Sequence, residues 1–284
     1  MTYLICDKCG KCYELQSGES PEDFLLTCDC GGEIKHYNNL EDYHNNNPSR
    51  RVKAGGKSLK SQFLMITIIL MIGIVLAYSW ANLNNSSAVL GADSVGSVTK
   101  EVYSHPGYSG QKIAVITGMH PREISAKDVV PNVVKSYAAI HNVEIVNYQV
   151  NVTQDPQDFA IGRANGQGLV AKYVIPDIAK SDYSMVIIVH NHEQGYGDGY
   201  YIATPSMDAK SVALGQSVHK LLPAFNYYTR NTDQAPEGTS INQVDDPIVA
   251  TGTPVFVYEI PEWLGNSDVA TNSNKLIDAV FIAI

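Results

Sequence analysis

One uncharged, apolar segment constrains this chain more than any other feature. Residues 63–83 read FLMITIILMIGIVLAYSWANL and contain no Asp, Glu, Lys or Arg. As a helix, this segment would extend about 31 Å at about 1.5 Å per residue, close to the hydrocarbon thickness of a bilayer. We therefore expect a transmembrane helix here, preceded by a flexible basic tether (39–62) and followed by a linker (84–98).

Basic residues flank this segment closely on its N-terminal side only. Those that precede it are Arg50, Arg51, Lys53, Lys57 and Lys60. After it, no Lys or Arg occurs before Lys100. The positive-inside rule then predicts a single-pass protein of the cell membrane, with a cytoplasmic N-terminus and an extracellular C-terminal domain. The formal net charge of −9 argues against a nucleic-acid partner.

Four cysteines near the N-terminus have the spacing of metal ligands. Cys6 and Cys9 form a CxxC pair, and Cys28 and Cys30 form a CxC pair, each followed by glycine. Four thiolates satisfy the tetrahedral coordination of a structural zinc ion. We predict a zinc ribbon over residues 1–38, with Cys12 as a spare thiol or as a substitute for a neighbouring ligand.

The stretch YLICDKCGKCYELQSGESPEDFLLTCDCGGEIKHY resembles the N-terminal zinc ribbons of membrane proteins from pseudomurein-walled methanogenic archaea. The resemblance implies a structural or docking module, with a possible cytoplasmic partner. It also implies a cell-wall context for the rest of the chain.

From about Thr99 onward, short apolar runs alternate with segments of helical periodicity. Strands are predicted at 112–118, 143–150, 184–190, 200–203 and 254–260, and helices at 122–140, 212–222 and 271–283, the last capped by Thr271 or Asn272. Residues 231–254 are polar and are expected to form a long loop. The order predicts an α/β domain over 99–284, with a mixed sheet flanked by helices.

Chemically capable side chains follow three of these strands. His120 and Glu123 come after the first strand, and His190 ends the strand at 184–190. Ligands collect beyond the carboxyl ends of strands in such sheets. A His-x-x-Glu pair with a further imidazole would leave one coordination position for water, as in hydrolytic zinc sites. His192 is the alternative third ligand, but His190 directly ends the apolar run.

Three segments resemble the zinc carboxypeptidase and succinylglutamate desuccinylase/aspartoacylase superfamily. They are TGMHPRE, MVIIVHNH and PVFVYEIPEW. The resemblance implies that His120, Glu123 and His190 bind a catalytic zinc ion and that Glu259 is the general base and acid. In this superfamily the middle residues of the first motif are usually small or polar with glycine, whereas here they are Pro121 and Arg122.

Arginine residues are candidates for binding the substrate or the developing negative charge. Arg163 and Asn165 resemble the carboxylate-binding Asn/Arg pair of the superfamily, and Arg122 is a further candidate. The resemblance implies a membrane-anchored extracellular zinc peptidase or amidase that acts on pseudomurein peptides through zinc-activated water. A non-catalytic module that binds wall peptides and a deacylase of N-acyl amino acids are the alternatives.

Overall fold

The structure is a computed structural model that describes residues 2–47, 59–82, 85–108, 110–233 and 240–284. The chain divides into two compact units, residues 1–74 and 75–284. Residues 48–58 of the predicted tether lie outside the described residues.

The first unit begins with a small antiparallel sheet. Its strands are β1 (Tyr3–Cys6), β2 (Cys12–Glu14) and β3 (Ile34–Tyr37), in the order β2-β1-β3, with a 3₁₀ turn at Pro21–Asp23. Helix α1 (Leu40–Asn46) follows, and the side chain of Asn39 accepts a hydrogen bond from the Asp42 backbone nitrogen (2.8 Å) at its start. The prediction of a flexible tether is therefore wrong for 40–46, because a capped helix forms there.

Helix α2 (Leu59–Asn82) covers most of the segment predicted to cross a membrane. Among the described residues, however, no helix has the length and apolar character that a membrane span requires. The prediction of a single-pass membrane protein is therefore wrong.

The second unit contains a mixed sheet of eight strands in the order β10-β9-β11-β8-β6-β7-β5-β4. The strands are β4 (Asn85–Asp93), β5 (Gly96–Ser104), β6 (Lys112–Thr117), β7 (Glu144–Val152), β8 (Met185–His192), β9 (Tyr201–Ala203), β10 (Asn226–Tyr228) and β11 (Val255–Pro261). The central strands β7, β6, β8 and β11 are parallel, whereas β4, β5 and β9 pair antiparallel with their neighbours β5, β7 and β11. The predicted α/β mixed sheet is confirmed.

The predicted linker at 84–98 is wrong, because residues 85–93 form the edge strand β4. This strand pairs antiparallel with β5 through a register shift between Val89 and Gly91. At Gly91 an added Cβ would overlap the ring of Tyr173, whose hydroxyl donates to the Ala92 carbonyl (3.0 Å). An edge strand has one side exposed to solvent, so polar residues such as Asn and Ser are tolerated in it. For this reason the composition of β4 is that of a linker although the segment is a strand.

Helices cover both faces of the sheet. One face packs against α3 (Ile124–Asp128), α4 (Val130–Ile140), α7 (Ala209–Leu221) and α9 (Asn266–Ala283). The other packs against α5 (Phe159–Leu169), α6 (Ile175–Ile178), α8 (Asp246–Ala250) and π-helical turns at Val170–Val174 and Ile241–Asp245.

Three boundaries differ from the predictions. The helix predicted at 122–140 is split into α3 and α4, with Pro131 in the first turn of α4. The predicted loop at 231–254 is helical from 241 to 250, where Pro247 lies in the first turn of α8. Helix α9 begins at Asn266, so the cap predicted at Thr271 or Asn272 is wrong, and Thr271 instead bonds to the Ser267 carbonyl within the helix (2.8 Å).

Candidate active site

The carboxyl ends of β8 and β11 bring two predicted residues side by side. Glu259 and His190 are register partners on these adjacent parallel strands. Successive side chains alternate between the two faces of a strand, and Ile188 and Val257, two positions earlier, belong to the same core cluster. His190 and Glu259 therefore continue the face of the sheet that α5, α6 and α8 cover.

A tight turn after β6 carries His120 and Glu123. Gly118 has φ of 73°, a conformation that favours glycine, and an added Cβ would overlap the Val150 carbonyl. Met119 is fully buried and fixes the turn to the core, while Glu123 occupies the N-cap position of α3. The turn is thus held by packing on both sides of His120.

The three predicted metal-ligating residues lie together. His120 Nδ1 is 2.7 Å from Glu123 Oε1, and His190 Nδ1 is 2.8 Å from Glu123 Oε2. The two imidazole rings stack at 4.3 Å, and one ligand atom from each of the three residues lies within 4.8 Å of the others. All three are buried, with at most 7% exposed. Two imidazoles and a carboxylate are a donor set that suits zinc with an open coordination position.

Burial and mutual charge shift the pKa values of this cluster strongly. Burial lowers the pKa of His120 to about 4. Burial acts in the same direction on His190, but the adjacent Glu123 carboxylate outweighs it and raises that pKa to about 9. Burial alone would raise the pKa of Glu123, yet His190 and His120 lower it to about 2. Glu123 is therefore a carboxylate at neutral pH, and binding of a metal ion would release the proton that His190 holds.

Two further carboxyl groups line the same cavity, each with an oxygen that lacks a partner. Glu259 Oε2 and Asp245 Oδ1 are buried without a hydrogen bond. Burial raises the pKa of Glu259 to about 7 and that of Asp245 to about 7. Asp245 was not predicted, because its segment lies in the polar stretch interpreted as a loop.

The predicted substrate-binding residues divide between the cavity and its surroundings. Arg163 lines the cavity, and its Nη1 donates to Glu123 Oε1 (3.3 Å). Arg122 also lines the cavity, is exposed, and lies over the Phe159 ring (5.6 Å). Asn165 does not line the cavity, because its side-chain nitrogen donates to the Gln154 carbonyl (3.0 Å).

The alternative ligand His192 does not join the cluster. Its Nε2 lies 2.9 Å from the Gly199 carbonyl, and its Nδ1 lies 3.2 Å from the Glu193 carbonyl. Both ring nitrogens thus face backbone oxygens of the loop after β8. Between the two histidines, the geometry favours His190 as the third ligand.

Helix α5 supplies a residue that the sequence did not reveal. Gln167 is buried, and its Nε2 lies 3.3 Å from Nε2 of His120, on the ring edge opposite Glu123. The preceding Gly166 lies so close to Met119 that an added Cβ would overlap the Met119 carbonyl. The glycines of GRANGQG have low helix propensity and therefore argue against a helix here. Gly166, however, has no side chain, which allows α5 to pack closely against the backbone of Met119.

The cavity around these residues has a volume of about 960 Å³. Its lining includes the exposed carboxylates of Glu193 and Glu262 and the rings of Phe159, Tyr196 and Tyr201. This volume falls within the range of pockets that hold small molecules or short peptides.

A second group of possible metal ligands lies in the first unit. The Sγ atoms of Cys6, Cys9, Cys28 and Cys30 all lie within 4.8 Å of one another. Gly10 and Gly31, which follow the two pairs, both have φ of 72°. Cys12 is exposed on β2 and outside this group. The four-cysteine cluster could therefore hold a metal ion, as its spacing predicted.

Comparisons with known proteins identify the fold. No protein-family model matches the sequence, and no curated protein matches it. Among solved structures, a metallo-carboxypeptidase from Burkholderia cenocepacia superposes with a TM-score of 0.51 at 13% identity, over 70% of this chain and 64% of the other. A protein of Shewanella denitrificans named as a carboxypeptidase A gives 0.51 at 14% identity, over 74% and 66% of the two chains. The fold is that of the metallo-carboxypeptidases, and this chain spans less than two thirds of the length of each.

Proposed function

We propose that residues 85–284 form a zinc-dependent peptidase or amidase. Its metal ligands are His120, Glu123 and His190, and its general base is Glu259. The observation that carries the proposal is the convergence of two imidazole nitrogens on one buried carboxylate, next to a second carboxylate with an unpartnered oxygen. The carboxypeptidase-like fold supports the same reaction class.

Each residue has a separate part in the proposed reaction. When bound, zinc would act as a Lewis acid and lower the pKa of a coordinated water toward neutrality. Glu259 would take a proton from the attacking water at Oε2 and pass it to the leaving nitrogen. Arg163 would hold the negative charge that develops on the substrate, with Arg122 at the exposed rim.

The first unit has a separate proposed role. We infer that residues 1–38 form a zinc ribbon in which Cys6, Cys9, Cys28 and Cys30 bind a structural metal ion. Folding of so small a unit would depend on that metal. The ribbon would serve as a docking module for a partner protein. Its resemblance to ribbons of pseudomurein-walled methanogens favours cell-wall peptides as substrates of the second unit.

A hydrolysis assay on the zinc-loaded full chain tests the proposal. Peptides with free and blocked C-termini, and N-acyl amino acids, are incubated with wild type and with Glu259→Gln, and the products are identified by mass spectrometry. Cleavage of peptides by the wild type alone supports the peptidase. Cleavage of N-acyl amino acids alone would point to a deacylase. Binding of peptides without cleavage would reject an enzyme and leave a binding module.

A further inference from the structure

Glu123 stands at the start of helix α3 but does not cap it. It occupies the N-cap position, yet its side chain makes no capping hydrogen bond. Its two carboxylate oxygens contact His120 and His190 instead. The first backbone N–H groups of a helix have no partner within the helix, and the N-cap side chain usually accepts from one of them. Because Glu123 faces the proposed metal site, α3 needs another acceptor.

Asn191 of strand β8 supplies this acceptor. Its Oδ1 accepts a hydrogen bond from the backbone nitrogen of Ala126, the third residue of α3 (2.8 Å). An N-cap side chain accepts from this same position of a helix. The two residues are 65 positions apart in the sequence, and both are buried. Ala126 is fully buried, so its N–H would have no partner if Asn191 lacked the oxygen.

Strand β8 therefore contacts the start of α3 through two consecutive residues. Successive side chains of a strand face opposite sides of its sheet. His190 faces the side that α5, α6 and α8 cover, and its Nδ1 lies 2.8 Å from the Glu123 carboxylate. Asn191 shares its face with Val189, which packs in the same core cluster as Ala126 of α3. One strand thus holds both the carboxylate of Glu123 and the backbone of the helix that Glu123 begins.

We propose that Asn191 is a positioning residue of the metal site, which caps α3 in place of Glu123 and so leaves the Glu123 carboxylate free to bind the metal ion. The inference rests on the proposed zinc site. The bond from Ala126 to Asn191 fixes the first turn of α3 to β8, and Glu123 extends from this turn toward His190. Without the bond the turn can shift relative to β8, whereas a metal site tolerates only small displacements of its ligands.

The zinc affinity of the full chain tests this role. Zinc is withdrawn by a competing chelator, and the ion of the second unit is identified as the one that His120→Ala lacks. Asn191→Leu keeps the branched shape of the side chain but has no acceptor oxygen. We expect this variant to bind that ion about 10–100-fold more weakly than the wild type does. The ion of the four-cysteine cluster should be released as in the wild type, because the cluster lies in the first unit.

Two further variants separate positioning from general stability. Asp208 caps α7 by accepting from the Ser211 nitrogen (3.0 Å), and it does not line the cavity. Asp208→Leu therefore removes a helix cap away from the metal site, and it should lower the melting temperature but keep the zinc affinity of the wild type. Asn191→Asp retains an acceptor oxygen and should bind zinc about as tightly as the wild type. Asn191 also lines the cavity, but zinc affinity is measured without substrate.

The outcomes distinguish this inference from the proposed zinc site. Equal zinc affinity in the wild type and Asn191→Leu, or an equal loss in Asn191→Leu and Asp208→Leu, would overturn the role of Asn191 alone. If His120→Ala holds as much zinc as the wild type, the zinc site itself is rejected, and the inference with it. If Asn191→Leu fails to fold, Asn191→Ala removes the same oxygen without adding volume, and the same loss of affinity is expected.

Discussion

Glu259 lies directly opposite His190 on the neighbouring parallel strand, so a proposed general base and a proposed metal ligand are fixed by the same sheet register. Strand positions are more rigid than loop positions, and this arrangement needs no conformational change to bring the two side chains together.

Replacing Glu259 by Gln should separate catalysis from metal binding. The amide keeps the size of the side chain but cannot accept a proton, so we expect kcat to fall at least about 100-fold. Zinc content should be unchanged, because Glu259 is outside the His120, Glu123 and His190 group. Activity close to that of the wild type, measured on the same peptide, would refute the role of Glu259.

The rate of hydrolysis should fall at low pH because Glu259 becomes protonated. Burial raises the pKa of Glu259 to about 7, and a general base must be ionised to act. A bound cation favours the carboxylate, so this fall lies at or below about pH 7. We expect kcat/KM to fall as the pH is lowered through this region. A rate that rises on acidification would contradict the assignment.

Gln167 should tune metal affinity through His120. Its side-chain amide faces the ring nitrogen opposite Glu123, and such outer partners orient metal-binding imidazoles. Gln167→Met, which keeps the volume but removes the hydrogen bond, should weaken zinc binding about 10–100-fold in a chelator competition. Equal affinity in the two proteins would show that Gln167 only fills space.

Gly166 and Gly168 offer a matched pair for stability. Gly166→Ala would place a Cβ against the Met119 carbonyl, so we expect a loss of about 3 kcal/mol in the free energy of unfolding. Gly168, two residues later in the same helix, has nothing within 4 Å of an added Cβ. Gly168→Ala should therefore be neutral or stabilise by about 0.5–1 kcal/mol. Denaturant unfolding of both variants checks the contrast, and equal effects would contradict the packing described for Gly166.

Much of the candidate site could be predicted, because its residues end strongly apolar strands. The positions of His120, His190 and Glu259 follow from where β6, β8 and β11 end. Asp245 and Gln167 could not be predicted in this way. Both lie in helical segments whose local sequence opposes a helix, and tertiary packing decides their conformation.

The errors in the fold have related causes. Residues 85–93 have the composition of a linker, but backbone pairing with β5 makes them an edge strand. Their side chains contribute little to the core, so no apolar periodicity marks them. The apolar run at 63–83 predicted a membrane span from composition alone, and the described part of the chain does not contain such a helix.

The four-cysteine cluster should hold one metal ion independently of the second unit. Cys28→Ser removes one of four thiolates, so about one zinc per chain should be lost. Cys12→Ser is the control, since Cys12 is exposed and outside the cluster. Metal analysis of the two purified variants checks this. An equal metal content in both would show that the four cysteines do not form a zinc site.

The most direct test of the central claim is the zinc content of the full chain with and without His120. His141 provides the control, because it lies at the end of α4 and does not line the cavity. If both sites bind zinc, wild type and His141→Ala should each hold about two zinc ions per chain, and His120→Ala about one. The same zinc content in all three proteins would show that His120, Glu123 and His190 do not form a zinc site.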